Sequence, residues 1–357
     1  MGLSGLFFMR RVAVILCFSL VTFNVYPQLG GRHTYAFLDL TNSARVASLG
    51  GKVNAIWDDD LNLAFHNPSL LNEDMRNHVV LNYVNYFTDV NYGYVSYASQ
   101  IKGIGNVAGG IHYINYGEFI GADNYGIRTG TFTASEISLN LMWSGTIDSI
   151  FHIGVNVKPI YSSLEKYNSF GIAADVGITY TSRDKLFAGA LVLRNIGVQI
   201  KPYYEQHRES LPFEIQIGVS QKLRHAPFRF SLVSHNLQKM DMTYNKTDDD
   251  NQQIDVNTGE STDNNSMGKF ADKVMRHMIF GVEFSPVKSF YLSGGYNYQR
   301  RSEMKIESRV AMVGFSWGFG IKISKFHLSY GRASYHLAGA SNHFSLSSDL
   351  SSFYRKK

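Results

Sequence analysis

The sequence predicts an all-β protein: a fourteen-stranded antiparallel transmembrane β-barrel with an N-terminal plug in its lumen. Three observations support this prediction. Only 18% of the 357 residues are charged, whereas 14% are aromatic. After residue 27 no apolar stretch reaches the roughly 18 residues that a transmembrane helix needs. The rest of the chain alternates apolar with small or polar residues, and a closed barrel is the other structure that can span lipid.

The N-terminus has the features of a secretory signal peptide. Arg10 and Arg11 precede an apolar run over residues 12–25, and a basic segment before a short apolar one is typical of such signals. We therefore expect residues 1–27 to be cleaved on export to the outer membrane. Cys17, the only cysteine, lies in this run, so we expect no disulfide or cysteine metal site in the mature chain.

The barrel is predicted for residues 78–357, where the pattern has period two. In segment 213–219, for example, Phe213 and Ile217 share one face, and Glu214 and Gln216 share the other. A soluble β-sandwich would also alternate. However, these segments are about ten residues long, as tilted membrane strands require, and aromatic residues occur near their ends. The fourteen segments start near residues 78, 90, 106, 133, 150, 168, 185, 212, 226, 275, 289, 309, 326 and 342.

The lengths of the connections give an independent indication. The even-numbered connections are short, and the longer ones, 117–132, 197–211, 238–274, 301–308 and 337–341, are all odd-numbered. Short periplasmic turns opposite long extracellular loops produce this parity. The largest connection, 238–274, is rich in Asn, Asp, Ser and Thr, and we interpret it as a long acidic extracellular loop.

Residues 28–77 precede the first strand and are too many for a simple leader, so we interpret them as the luminal plug. Asp58, Asp59 and Asp60 offer alternating oxygen ligands, as a calcium loop would. The Gly and the distal Glu of such a loop are missing, and a polar turn against the lumen wall is expected instead. Asn67 and Pro68 are expected to fix a turn that returns the chain to the wall.

Catalysis is not indicated. The twelve histidines show no H-E-x-x-H spacing, and the chain has no G-x-S-x-G elbow, no G-x-G-x-x-G and no P-loop. We expect no catalytic residue, no metal and no cofactor. The net charge of +5 does not by itself distinguish nucleic acid from an anionic membrane. The barrel pattern favours the membrane, and we expect no nucleic acid partner. We expect Gly314, Gly318 and Gly320 to face inward and leave room for the plug rather than line a ligand channel.

Three ordered segments, SARVASLGG at 43–51, DDDLNLAF at 58–65 and NPSLL at 67–71, resemble the N-terminal region of the PorV and PorQ family of the type IX secretion system. That family belongs to the wider FadL-like group of plugged fourteen-stranded barrels. Ser69 stands where FadL-like proteins often have Ala. The PorQ branch in particular is similar in further segments: HYINYG at 112–117, GTFTAS at 130–135, NIG at 195–197 and HAPFR at 225–229.

The resemblance implies a non-catalytic anchor in the attachment complex at the cell surface. The barrel would hold a PorZ-like surface protein near a PorU-like sortase and a PorV-like barrel, which join cargo to lipopolysaccharide. Loops of a rigid scaffold are where binding residues accumulate. The candidate partner-binding residues are Phe119, Tyr125, Phe132, Tyr203 and Tyr204.

Two other functions remain open. A FadL-like barrel could instead pass a hydrophobic small molecule across the outer membrane. The inward faces carry Lys158, Glu214, Gln216 and Arg229, which disfavours that route. A membrane-embedded lipid hydrolase would need a Ser–His cluster, which the sequence does not reveal.

Overall fold

A computed structural model describes residues 33–204, 208–239, 241–242, 266–304, 312–336 and 339–354. Within these residues fourteen strands form a closed antiparallel barrel, in which each strand pairs with its neighbours in sequence and β1 pairs with β14. The strands are β1 His78–Asn85, β2 Asn91–Ile101, β3 Gly105–Ala122, β4 Arg128–Asp148, β5 Phe151–Leu164, β6 Tyr167–Thr181, β7 Phe187–Lys201, β8 Glu214–Lys222, β9 Phe228–Ser234, β10 Met278–Val287, β11 Phe290–Asn297, β12 Phe315–Ile323, β13 Phe326–His336 and β14 Gly339–Asp349.

Five short α-helices accompany the strands in the described residues. They are α1 Ala44–Ser48, α2 Asn62–His66, α3 Ser266–Arg276, α4 Tyr298–Met304 and α5 Ser351–Tyr354. None of the helices in the described part of the chain is both long and apolar enough to cross a membrane. The predicted signal peptide, residues 1–27, and the acidic stretch 243–265 lie outside the described residues.

The alternation predicted from the sequence is confirmed in the wall. Ile217 of β8 is 48% exposed on the outer surface, whereas Glu214 and Gln216 are each 1% exposed in the lumen. Apolar side chains cover the outer surface on every side because it must contact lipid. Polar side chains face the lumen, where many of them hydrogen-bond to the plug or to each other.

The connections show the expected parity. Every even-numbered connection contains two to five residues, and the three longest connections, 202–213, 235–277 and 298–314, are odd-numbered. By the usual rule for these barrels, the short turns mark the periplasmic end and the long connections mark the extracellular end. Because β1 then runs from the periplasm outward, residue 77 lies at the periplasmic end, whereas His33 pairs with Ser210 of an extracellular connection.

Residues 33–77 fill the lumen as the plug. They form α1, α2 and three 3-10 turns, Ala36–Asp39, Pro68–Leu70 and Glu73–Met75. Ser43 caps α1, because its side chain accepts a hydrogen bond from the Val46 backbone N–H. The plug has an apolar core of its own that includes Val46, Leu49, Val53, Ile56, Leu63 and Leu70, all of them 0–1% exposed.

The predicted boundaries are wrong in four places. Residues 117–132 are mostly extended strand, with a turn only at 123–127, and part of the predicted 238–274 loop is the helix α3. Residues 298–304 form α4, and β12 begins at Phe315 rather than near residue 309. The late start of β12 has a local cause: Gly314 has a φ of +86°, which L-residues rarely adopt and which breaks the extended backbone.

The three glycines of this strand therefore differ. Gly318 makes room for the plug as expected, because a Cβ there would lie 2.7 Å from the Cβ of Ser48. Gly320 instead makes room for the ring of Tyr291 on the neighbouring strand β11, because a Cβ at Gly320 would lie 2.1 Å from that ring. Gly314 does not belong to the inward face of the strand, since it precedes it.

Candidate functional site

The Asn67-Pro68 turn seats the plug against strands β5 and β6. Asn67 is extended, with φ −149°, and its side chain caps the 3-10 turn that Pro68 begins. Its Nδ2 donates to the Thr179 hydroxyl at 3.0 Å, and Ser69 and Thr179 share a 2.7 Å hydrogen bond. A Cβ at Gly154 would lie 2.3 Å from the backbone of Pro68. The plug backbone therefore touches the wall here.

Arg45 of α1 is the centre of a charged cluster in the periplasmic half of the lumen, here called the Arg45 cluster. Its Nε donates to Glu283 of β10 at 2.8 Å, and its Nη atoms donate to Asp58 at 2.8 Å and to Asp60 at 3.2 Å. Arg229 of β9 donates to Asp58 at 2.9 Å and to Glu283 at 3.2 Å. Two guanidinium groups thus face three carboxylates, and the cluster joins two parts of the plug to two strands.

The three consecutive aspartates, residues 58–60, do not all belong to this cluster. Asp58 and Asp60 bind Arg45, whereas the Asp59 side chain is exposed and its backbone carbonyl contacts the His78 ring at 3.0 Å. Burial favours a neutral Asp58, but Arg45 and Arg229 outweigh it and hold the pKa of this carboxyl well below its ordinary value. Among the described residues, no group of three His, Cys, Asp or Glu side chains is arranged to hold a metal ion.

A second buried ion pair lies on the wall beside the plug. Lys158 of β5 and Asp175 of β6 are 2.7 Å apart, and both side chains are at most 1% exposed. Lys158 also donates to the Asn195 side chain, and Asn195 donates to Asp39 of the plug at 3.0 Å. Arg194 donates to the backbone carbonyl of Leu38 at 3.2 Å. Asn195 therefore links Asp39 of the plug to this pair, and the adjacent Arg194 holds Leu38.

A third contact connects the middle of the plug to β8. Lys52 forms an ion pair with Glu214, whose side chain is 1% exposed, and His235 lies 3.5 Å from the same carboxylate. Gln216 donates to Glu214 at 2.8 Å. The inward-facing Glu214 and Gln216 predicted from the sequence therefore bind the plug or each other rather than line an open channel.

The extracellular half of the lumen is different in character. It contains an apolar cluster made of Tyr35, Phe37, Leu38, Val84, Tyr92, Ile114, Ile160, Ala173 and Leu211. Glu136 of β4 lies beside it and is 5% exposed. It accepts a hydrogen bond from the Tyr116 hydroxyl, and among the described residues it forms no ion pair.

The candidate residues Phe119, Tyr125 and Phe132 belong to one extended hairpin, here called the β3–β4 hairpin, residues 116–133. β2 pairs with β3 only as far as Asn115, and β5 pairs with β4 only from Ala134 onward. Beyond those points β3 and β4 pair only with each other, up to the pair Ala122 and Arg128. At about 3.3 Å per residue the hairpin projects roughly 20 Å past its neighbours and has two unpaired edges.

The hairpin is ordered by its own contacts. Phe119 and Phe132 stack with their ring centroids 5.2 Å apart and their planes at 17°. The Asp123 side chain accepts hydrogen bonds from the backbone N–H groups of Tyr125 and Ile127, each at 2.9 Å, which fixes the turn. Tyr125 is 90% exposed at the tip, and Ile127 is 64% exposed. Apolar groups are therefore presented to solvent on a rigid support.

Tyr203 and Tyr204 point in opposite directions. Tyr203 is partly buried, packs against the apolar cluster and donates to the Ser162 hydroxyl inside the lumen. Tyr204 is 73% exposed. The two tyrosines thus do not form one surface, and only Tyr204 is free to meet a partner from outside.

Sequence analysis did not identify Arg45 or Glu283 as parts of a site. Their positions carry a weak signal: each is a lone charge in an otherwise small or apolar stretch. A charge that must be buried needs a partner. The sequence alone does not show which of the many acidic residues supplies it.

Comparison with known proteins supports the fold. No protein-family model matches the sequence, and no curated protein sequence matches it. Two crystal structures of the toluene transporter TodX from Pseudomonas putida superpose with TM-scores of 0.51 and 0.50. Both are 11% identical, and they match 87% and 86% of this chain and 99% and 96% of theirs. A FadL homologue from Pseudomonas aeruginosa gives a TM-score of 0.48 at 9% identity, over 87% of this chain and 98% of that one.

At these identities the similarity concerns the fold alone. The chain has the closed, plugged fourteen-stranded barrel fold that the two TodX structures share.

Proposed function

We propose that this protein is a non-catalytic outer-membrane anchor whose extracellular surface holds a partner protein. The observation that carries the proposal is the β3–β4 hairpin. It extends past the rest of the wall, has two unpaired strand edges and exposes Ile120, Tyr125 and Ile127 at 60%, 90% and 64%. Exposed edges and apolar side chains are a liability unless a partner covers them.

The hairpin suits binding by two routes. An extended segment of a partner can add to an unpaired edge through backbone hydrogen bonds. Tyr125 and the Phe119–Phe132 stack supply large apolar contacts at the same place. Aromatic residues are enriched among those that carry binding energy. Because the hairpin is already ordered, binding it costs less conformational entropy than binding a mobile loop.

The contacts inside the lumen support an anchor rather than a channel. The plug meets the wall through the Arg45 cluster, the Lys158–Asp175 pair and the Lys52–Glu214 pair. An apolar molecule that crossed the lumen would have to displace these charged contacts. Breaking a single buried ion pair costs about 3–5 kcal/mol.

The resemblance in segments 43–51 and 58–71 implies the identity of the partner. It would be a PorZ-like surface protein, in a complex with a PorU-like sortase and a PorV-like barrel that attach cargo to lipopolysaccharide. This part of the proposal rests on the sequence resemblance.

Copurification tests the anchor. The tagged barrel is isolated from outer membranes of its own cells in mild detergent, and the bound surface proteins are quantified by mass spectrometry. We expect Tyr125→Ser combined with Phe119→Ser to reduce the bound partner strongly, because both apolar anchors are lost. Ile147→Ser is the matched control: Ile147 is 69% exposed on the same β4 strand, at its periplasmic end.

The control should retain the partner. The anchor proposal is wrong if the wild-type barrel copurifies with no surface protein. It is also wrong if the hairpin variant, correctly assembled, retains the partner as well as Ile147→Ser does.

A second candidate is passive uptake of a hydrophobic small molecule. The fold neighbours are named as transporters of such molecules, and taken alone they favour this candidate over the anchor. The apolar cluster around Phe37 and Tyr92 in the extracellular half of the lumen also suits an apolar ligand. We place it second because a likeness at 11% identity carries the fold and not the cargo.

Ligand binding separates the two candidates. Purified barrel in detergent is titrated with toluene and with oleate. The anchor predicts no saturable binding of either compound. Uptake predicts tight binding of one of them, and binding that Phe37→Ser weakens would replace the anchor with the transporter.

A further inference from the structure

A shallow apolar groove crosses the outer wall where the barrel closes, at strands β12, β13, β14 and β1. Its volume is about 350 Å³. Seven large side chains line it, and we call it the closure groove: Leu81, Tyr83, Phe319, Leu328, Tyr330, Phe344 and Leu346. Leu81, Tyr83, Phe319, Leu328 and Phe344 are more than a third exposed, whereas Tyr330 and Leu346 are half-buried. The groove faces the lipid and not the lumen.

Strand register arranges these side chains in rows around the wall. A leucine row comprises the mutually paired positions Leu81, Leu346 and Leu328. One step toward the extracellular side lies an aromatic row: Tyr83, Phe344, Tyr330 and Phe319. The next step is a polar row: Asn85, Asn342 and Arg332. The closure groove crosses the first two rows and ends at the third.

The polar row carries a positive charge above the groove. Arg332 is exposed and lies on the same outward face of β13 as Tyr330. It donates to Asn342 at 3.4 Å. The Tyr330 hydroxyl donates to the same Asn342 oxygen at 2.8 Å. Trp317, which pairs with Arg332 in the register, is 46% exposed beside it. Within the described residues Arg332 forms no ion pair, so its charge is available to a group outside the barrel.

We propose that the closure groove and Arg332 together bind a phosphorylated, multiply acylated lipid of the outer leaflet, of the lipid A type found in lipopolysaccharide. The acyl chain lies in the closure groove against the leucine and aromatic rows. The headgroup phosphate accepts hydrogen bonds from the Arg332 guanidinium. The planar N–H donors of the guanidinium match phosphate oxygens in geometry. Basic groups next to apolar clefts at the membrane interface recognise anionic headgroups.

The order of the rows favours a lipid that has an anionic headgroup. A groove without charge would hold any acyl chain, and an exposed arginine without a groove would hold any anion. Here the cation lies one row beyond the aromatic residues, at the depth where headgroups meet acyl chains. This inference concerns the outer wall and does not depend on whether the barrel is an anchor or a transporter.

Native mass spectrometry tests the proposal. Each purified barrel is placed in nanodiscs of phosphatidylethanolamine with or without lipid A, and the lipid retained after release is measured. We expect the wild type to retain lipid A in preference to phosphatidylethanolamine. Arg332→Ala should lower the retained lipid A by about fivefold, the effect of losing one interfacial cation. Leu328→Trp should lower it by filling the groove.

Two variants serve as matched controls. Arg128→Ala removes an exposed arginine from the β3–β4 hairpin, and Leu139→Trp enlarges a lipid-facing leucine of β4 that is 42% exposed. Both should retain lipid A as the wild type does. Removing the phosphates of lipid A should reproduce the Arg332→Ala result.

The proposal is overturned if Arg332→Ala retains as much lipid A as Arg128→Ala. It is also overturned if Leu139→Trp lowers retention as much as Leu328→Trp, or if the wild type shows no preference for lipid A.

Discussion

In the periplasmic half of the lumen, the plug is held by two guanidinium groups and three carboxylates, the Arg45 cluster. In the extracellular half it is held by tyrosine rings, hydroxyls and apolar side chains around Glu136. A buried charge is stable only beside its partner, so the cluster permits a single position of the plug. Aromatic and apolar contacts tolerate small shifts at lower cost. Changes among the aromatic and apolar contacts of the extracellular half should therefore disturb the plug less than changes in the Arg45 cluster.

Arg45→Leu should have the largest effect. It leaves Asp58 and Glu283 with Arg229 alone and removes the ion pair of Asp60, and breaking a buried ion pair costs about 3–5 kcal/mol. We expect the plug to loosen while the barrel stays closed, because the strand ladder does not involve this side chain. Single-channel conductance and protease cleavage of residues 40–75 measure the loosening.

Arg45→Lys is the graded control, since it keeps the charge but cannot contact several carboxylates in the same geometry. Its conductance should lie between those of the wild type and Arg45→Leu. A fully sealed, protease-resistant plug in Arg45→Leu would show that the Arg45 cluster does not hold it.

Acid should act on the same half of the lumen. The folded pKa of Asp58 lies below its unfolded value, near 3.9, so its stabilising contribution is complete above that value and is lost as the pH falls below it. We expect constant conductance from pH 8 to about 5 and plug loosening only below about pH 4. Conductance measured over this range tests the expectation.

Asp58→Asn is the matched variant. It removes the titrating group, so conductance should be raised at neutral pH and should change less between pH 5 and pH 3. Loosening of the wild-type plug already between pH 7 and pH 6 would point to a histidine instead of Asp58.

Glu136→Gln should have the smallest effect. The amide keeps an oxygen that can accept the Tyr116 hydrogen bond, and no ion pair is lost among the described residues. A typical hydrogen bond contributes about 1 kcal/mol, and here most of it is retained. Thermal unfolding in detergent and conductance should both stay near the wild-type values. If Glu136→Gln opens the plug as far as Arg45→Leu does, the two halves of the lumen do not differ as described.

The wall also changes one expectation drawn from the sequence. From the alternation alone, Ile217→Arg should impair assembly more than Gln216→Arg, because Ile217 faces lipid and a charge at the midplane costs about 2–4 kcal/mol. Gln216, however, is 1% exposed and packed beside Asn54 of the plug. An arginine there would crowd the plug even though the Glu214 carboxylate lies within reach, so the difference between the two sites should be smaller than the lipid argument alone suggests.

The sequence by itself determined the class of fold, the number of strands and which face of each strand meets lipid. Side chains alternate with a period of two, and lipid accepts only apolar groups. The residues of each strand therefore show by themselves which side chains face lipid and which face the lumen. The spacing of these segments along the chain also predicted that the even-numbered connections are short and that the longer ones are odd-numbered. The position of Asn67 and Pro68 in a turn against the wall was also predictable, since Pro restricts its own backbone and that of the preceding residue.

The tertiary structure decided the rest. The partners of Arg45 are separated from it by 13, 15 and 238 residues, and only the closed barrel brings them together. The inward orientation of Tyr203, the unpaired edges of the β3–β4 hairpin and the rows that end at Arg332 likewise depend on strand register. Register is set by pairing between strands and by the plug that fills the lumen. A sequence pattern therefore predicts which residues face inward, but not which of them meet.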